Sequence, residues 1–308
     1  MTAFVLKILA SAFMLIDHIG AVFPAPDFFR YIGRMAFPIY LYLIAEGCTY
    51  SKNINKYAQR LGLFAIISEI PFDLALRQPN GIYRGLPLKI NFTSNTNVFY
   101  TLFLGVFAVI IYKKILEKAN QLPALLPLFL LSGLFFARGT VNSDLKMLGI
   151  LVIYTICVLL LGIILPERKV AVQQDQIPAE EKSFKDLTRE ICALLAALPI
   201  ALFGQLWGTD YGMIAIAVIL FLYWAKTRKN KLSIMVLWVI AQYGANLVNP
   251  SFRSVSTVML LVFALFAIVL LFFYNGRQGK KMKWGFYWFY PIHLSILAFI
   301  LHVFLRHV

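Results

Sequence analysis

Apolar stretches long enough to cross a bilayer follow one another from Phe4 nearly to the end of the sequence. A helix needs about 20 apolar residues to cross a hydrocarbon core roughly 30 Å thick. Inside that core every backbone N–H and C=O must find a partner within the protein, so only helices and closed barrels span it. Barrel strands alternate apolar and polar residues over segments of about ten; the runs here are continuous, which selects helices. Composition agrees: 60% of the 308 residues are hydrophobic and 14% are charged, whereas a soluble domain carries about 25% charged residues and must wet its surface. The expected fold is all-α, a polytopic integral membrane protein.

About eleven spans can be placed, near 3–23, 31–50, 58–76, 97–116, 122–138, 146–165, 189–206, 211–226, 232–248, 254–274 and 284–305. The first does not read as a cleaved leader. It lacks a basic start followed by a small-residue cleavage site, and it carries Lys7, Asp17 and His18 within the apolar stretch. The longest polar break, 166–188, mixes both signs of charge and is too short for a domain. It reads as a cytoplasmic linker dividing a six-helix half (1–165) from a five-helix half (189–308) of one membrane domain. No internal repeat is evident.

The net charge of +15 would suit a nucleic-acid binder, but Lys and Arg are scattered over short inter-helix loops. That is how a membrane protein meets anionic lipid and fixes its orientation, so lipid and not nucleic acid is the expected partner. Loops on the N-terminal side hold about twice as many Lys and Arg as the opposite loops. This bias places the N-terminus in the cytoplasm and, with an odd number of spans, the C-terminus outside the cytoplasmic membrane. Cys48, Cys157 and Cys192 lie singly in apolar runs without metal-ligand spacing and read as small buried hydrophobes. There is no Walker phosphate loop, dinucleotide fingerprint, HExxH or CxxC. No metal is expected, and nucleotide hydrolysis and zinc chemistry are disfavoured.

An ionisable side chain within a bilayer is costly and usually has a partner or a task. The first span holds three. Lys7 and His18 are eleven positions apart, which returns to within roughly 20° of the same helix face about 16 Å further along. Ser11 and Met14 lie near that stripe. Asp17 is about 100° away from His18 and can reach a group on an adjacent helix. His18 is a candidate general base, since imidazole titrates near neutral pH; a histidine that merely pairs helices is the other reading. In the second span Arg34 can pair with Asp17, Pro38 can kink the helix towards a cavity, and Glu46 reads as a solvated carboxylate. Glu69 and Asp73 share a face at the end of the third span, with Pro71 breaking the helix between them. They can neutralise Arg34 or Arg77 or hold an acceptor amine. Asn95-Thr96-Asn97 can cap the fourth span. His293 is a second intramembrane imidazole, after an aromatic run from Trp284 to Tyr290.

Several stretches resemble the TraX family, the F-pilin acetylation proteins. They are Leu15-Ile16-Asp17-His18-Ile19-Gly20, Ile32-Gly33-Arg34-Met35-Ala36-Phe37-Pro38 and Ile67-Ser68-Glu69-Ile70-Pro71-Phe72-Asp73, with shorter matches at 97–102, 210–212, 274–276 and Phe289-Tyr290-Pro291-Ile292-His293-Leu294. That family is similar to the wider transmembrane acyltransferases, in which a basic residue stands ten intervening positions before a histidine, as Lys7 stands before His18. The resemblance implies transfer of an acetyl group from cytoplasmic acetyl-CoA to an amine or hydroxyl of an envelope acceptor: a pilin N-terminus, a surface glycan or a lipid. It implies His18 as base, Asp17 and Arg34 as orienting groups, and Lys7, Lys52, Lys56 and Arg60 as phosphate-attracting groups for coenzyme A. Glu69, Asp73, Asn97, Tyr290 and His293 are the candidates on the acceptor side. Intramembrane Asp, His and Glu would also serve a proton-coupled transporter or a lipid or glycan flippase, and a silent assembly scaffold is a third reading.

Overall fold

A computed structural model describes residues 1–23, 25–77, 95–117, 184–244 and 254–305. The described residues are helical apart from loops and a single bridge between Thr96 and Thr209. In chain order the helices are α1 (Ala3–Val22), α2 (Phe28–Gly33), α3 (Ala36–Tyr50), α4 (Ile54–Phe72), α5 (Val98–Glu117), α6 (Phe184–Ala197), α7 (Pro199–Leu206), α8 (Gly212–Trp224), α9 (Arg228–Val239), α10 (Val255–Phe272) and α11 (Lys283–Leu305). Two π turns, Asp73–Arg77 and Ile240–Gly244, follow α4 and α9.

Among these, four stretches are long and apolar enough to cross a membrane: Ala3–Val22, Val98–Leu116, Val255–Phe272 and Lys283–Val303. Of the other expected spans among the described residues, α4 is long enough but carries Lys56, Arg60 and Glu69, and the rest are shorter or interrupted. The stretch 31–50 is cut at Arg34–Met35, so Pro38 falls in the first turn of α3, where its missing N–H costs nothing, and does not kink a continuous helix. The stretch 189–206 is cut before Pro199. Pro71 does not break its helix either. The α4 helix runs through it to Phe72 and opens into the π turn, which keeps Glu69 and Asp73 together. The expected spans 122–138 and 146–165 lie outside the described residues, as does most of 166–188, although Phe184–Leu187 already belongs to α6.

The chain divides into two compact units, Met1–Ile110 with Ile200–Val308, and Ile111–Pro199. In the second, Ala193, Leu194 and Ala197 of α6 are buried. In the first, α1 packs on α2, α3 and α11; α3 on α8; α4 on α11; and α10 on α2, α3 and α9. The buried side of α1 carries Leu6, Ala10, Ser11, Asp17 and His18, whereas Val5 and Ile8 face outwards. Outward apolar rows such as Leu63, Ile66 and Ile70 on α4, or Ile292, Ile296 and Phe299 on α11, match a hydrocarbon solvent and would be a liability in water. The start of α1 is completed by the loop before α11: Ala3 and Phe4 N–H donate to the carbonyls of Arg277 and Gln278 at 2.8 and 3.0 Å, satisfying donors that a helix N-terminus leaves open. Gly279, at φ +72°, is required here, because a Cβ would lie 2.5 Å from Thr2 Oγ1.

Candidate functional site

Helices α1 and α11 bring the two intramembrane imidazoles into one hydrogen-bonded pair. His18 Nδ1 lies 2.7 Å from His293 Nε2, and the rings are parallel, with centroids 5.0 Å apart. The other nitrogen of His293, Nδ1, lies 2.7 Å from the carbonyl oxygen of Phe289. A carbonyl can only accept, so His293 Nδ1 carries a proton. In the neutral ring Nε2 is then the acceptor, and His18 must donate from Nδ1. This leaves the lone pair on His18 Nε2 unengaged by the pair, the state a general base needs. Both rings are buried, yet His18 lines a cavity.

Asp17, next in sequence, serves a different partner. Its carboxylate accepts from Arg34 Nη2 through both oxygens, at 2.7 and 2.8 Å, and Arg30 Nη1 lies 3.1 Å from Oδ2. Arg30 also donates to the Asp17 carbonyl. The close approach depends on Gly33, where a Cβ would sit 2.1 Å from Asp17 Oδ1. Asp17 and Arg34 are thus joined to each other and line the same cavity as His18.

Glu69 and Asp73 are fully buried. Asn97 donates from its backbone N–H (3.1 Å) and its amide (2.6 Å) to Glu69 Oε2, donates also to the Ala65 carbonyl, and accepts from Phe99 N–H, so it caps α5 while tying it to α4. Asp73 Oδ1 accepts from Arg77 at 2.7 Å. Neither carboxylate reaches Arg34; Arg77 is the cation they hold, and it faces the cavity. Glu46 is not solvated, as the sequence suggests, but buried and paired with Lys231 at 2.5 Å, because α9 brings that lysine against α3.

The cavity has a volume of about 1020 Å³, and its lining runs along α1 from Ala3 to Ala21. At 1.5 Å per residue that is about 27 Å, close to the thickness of the hydrocarbon core. Lys7, Arg60, Lys280, Lys281 and Lys283 line it at the end where the chain begins; Arg30, Arg77, Asn95 and Asp210 line it beyond His18. The Arg60 guanidinium lies between the rings of Tyr57 and Tyr287, 5.9 and 6.0 Å from their centroids, and Lys7 stands over Phe286. Lys52 and Lys56 are exposed and outside the lining; Lys56 N–H is engaged by the Asn53 cap of α4.

At the far end two loops meet. Thr96 N–H donates to the Gly208 carbonyl, and Asp210 N–H to that of Thr96. Tyr211 takes a left-handed conformation (φ +61°) and stacks on Phe37 with centroids 3.6 Å apart. A non-glycine residue there stores strain of the kind that collects at functional sites. The Asp210 carboxylate has no ion pair or side-chain hydrogen bond among the described residues. Enclosure by the walls pushes its pKa up to about 6, opposed by the charge of Arg34. Among the described residues no group of three or more His, Cys, Asp or Glu could hold a metal ion.

The family model described as TraX protein matches residues 3–173 and 176–301. The chain belongs to the TraX family. A curated relative, the probable fimbrial assembly protein FimC, serogroup H1, of Dichelobacter nodosus, is 26% identical over 307 positions, covering 96% of this chain and 94% of the relative. No solved structure matches it.

In this TraX-family chain, of the residues singled out from the sequence, Lys7, Asp17, His18, Arg34, Arg60 and Tyr290 line one cavity, and His293 stands against His18. Sequence reasoning had not paired His18 with His293. It also missed Lys280, Lys281 and Lys283 as cavity residues, and Asp210. The three lysines had a signal: they immediately precede the aromatic run of α11, whose Phe286, Tyr287 and Tyr290 line the same wall.

Proposed function

We propose that this TraX-family chain is a multi-pass acyltransferase of the cytoplasmic membrane, N-terminus inside, which moves an acetyl group from cytoplasmic acetyl-CoA to an acceptor beyond His18. The observation that carries this reading is the His18–His293 pair, with its tautomers fixed from Phe289, beside a cavity that runs the length of α1. Lys280, Lys281, Lys283, Arg60 and Lys7 provide a basic mouth for the phosphates of coenzyme A. The acyl end extends about 16 Å past Lys7 to His18. His18 Nε2 takes the proton of the attacking amine or hydroxyl. The imidazolium so formed is stabilised through Nδ1–H by His293. The acceptor's N or O bonds to the acyl carbon, the C–S bond breaks, and the proton passes from His18 to the departing thiolate, releasing free coenzyme A. Asp17 holds Arg34 and Arg30 in place beside the base.

An amine acceptor is favoured by Asp210, a carboxylate facing the cavity without a cation of its own. The name of the Dichelobacter relative, a probable fimbrial assembly protein, supports a pilin or fimbrial subunit as that acceptor.

Free-thiol release from acetyl-CoA by the purified protein, with a synthetic peptide bearing a free N-terminal amine, tests the reading. His18→Ala should lower turnover by about 10²–10⁴-fold with the thermal unfolding midpoint retained. Near wild-type turnover in that variant would remove the mechanism. A proton-coupled transporter could use the same cavity. It would be stabilised against heat by changes in its coupling ion, and this acyltransferase by acetyl-CoA.

A further inference from the structure

Building on the acyltransferase reading, we propose that the Tyr290 hydroxyl is a catalytic hydrogen-bond donor that holds the acyl carbonyl oxygen while His18 acts on the acceptor. Tyr290 is 3% exposed yet lines the cavity. It lies one turn before His293 on the same face of α11, and its ring is pinned edge-on by three others: His18 (centroids 5.8 Å), His293 (5.6 Å) and Phe99 (5.2 Å). A phenol fixed this tightly presents its hydroxyl without reorganisation at the moment of reaction, which is what makes an oxyanion donor effective.

The phenol also meets the first turn of α5 through the ring of Phe99. A hydroxyl lining the same cavity is orphaned: Thr96, in the loop before α5, is completely buried and its Oγ1 has no hydrogen-bond partner. Buried hydroxyls are almost always satisfied. The Tyr290 hydroxyl beside the His18 ring, with the orphaned Thr96 hydroxyl lining the same cavity, fits a carbonyl oxygen brought by the ligand.

The step balances. The acceptor lone pair forms a bond to the acyl carbon as His18 Nε2 takes the acceptor's proton. The carbonyl π pair moves onto oxygen, where Tyr290 O–H donates to it. The oxyanion then re-forms the C=O, the C–S bond breaks, and the thiolate takes the proton from His18. Tyr290 keeps its own proton throughout.

Free-thiol release from acetyl-CoA with the amine peptide, measured in lipid nanodiscs, separates the roles. Tyr290→Phe keeps the ring and removes the donor; kcat should fall about 10²–10³-fold with the KM for acetyl-CoA unchanged within about twofold. Turnover within about threefold of wild type, or a loss confined to KM, overturns the proposal. If the phenylalanine variant does not fold, 3,5-difluorotyrosine at position 290 retains ring and hydroxyl but alters donor acidity. A several-fold change in kcat supports the role and an unchanged kcat overturns it. Full activity of Tyr290→Phe alongside a dead His18→Ala sinks this inference alone. Thiol release that is the same in His18→Ala as in wild type sinks the underlying reading.

Discussion

The two ends of the cavity are both rich in basic side chains and use them in opposite ways. At the end where the chain begins, Lys7, Arg60, Lys280, Lys281 and Lys283 line the wall with no carboxylate partner among the described residues; the nearby Glu46 is taken by Lys231. Beyond His18 the arginines are held. Arg30 and Arg34 share Asp17, and Arg77 lies against Asp73. Charges left free on flexible stems can follow a phosphate and give up water for it. Arginines clamped by buried carboxylates cannot leave, so they shape the walls. One end leaves its charges without carboxylates among the described residues and the other pairs them; in the proposed reading the first receives the phosphates of coenzyme A. Among the described residues lining that other end, Asp210 is the carboxylate without an ion pair, and the proposed reading gives it the acceptor's ammonium.

That contrast can be broken most severely at the clamped end. Asp17→Asn leaves Arg34 and Arg30 without their counter-charge in a buried setting and should cost about 3–5 kcal/mol, read as a loss of unfolding free energy in detergent. A stability change under about 1 kcal/mol would mean that the pair is as loosely held as a surface bridge. At the free end the expectation inverts. Replacing Lys280, Lys281 and Lys283 together by alanine should leave stability intact and raise the KM for acetyl-CoA about tenfold or more, with a weaker salt dependence than wild type. An equal rise from Lys52→Ala with Lys56→Ala, both outside the cavity, would erase the distinction between mouth and surface. The smallest effect belongs to Asp210. Above about pH 6 its carboxylate is charged and attracts an ammonium; below that it is neutral. The KM for an amine peptide should therefore climb about tenfold as pH falls through 6. Asp210→Asn should show the high KM at all pH values. A KM with the same pH dependence in both proteins would assign the titration elsewhere.

The reach of the sequence reading differs between these regions. The Asp17–Arg34 pair was open to it, because both groups sit in apolar runs where an unpaired charge is untenable; the close approach at Gly33 that seats the pair is visible only in the packing. The Glu69–Asp73 pair was found as a face, but its partner was not fixed: the π turn after Pro71 sets Arg77 on that face, and Pro71 alone reads as a break. Lys52 and Lys56 were plausible phosphate ligands by charge and side of the membrane. Only packing shows them outside the cavity, which Lys280 and Lys281, just before α11, and Lys283, at its start, line.

What the sequence settled alone is what accumulates along a chain. Transfer of apolar residues into lipid adds up residue by residue, so continuous runs select membrane helices. The helical repeat is fixed, so Lys7, Ser11 and His18 had to share one stripe of α1. What needed the tertiary structure is what depends on neighbours remote in sequence. His18 and His293 stand 275 positions apart. A helical period says which way a side chain faces but not which helix it meets, and here the meeting of α1 with α11 sets the tautomer of His18.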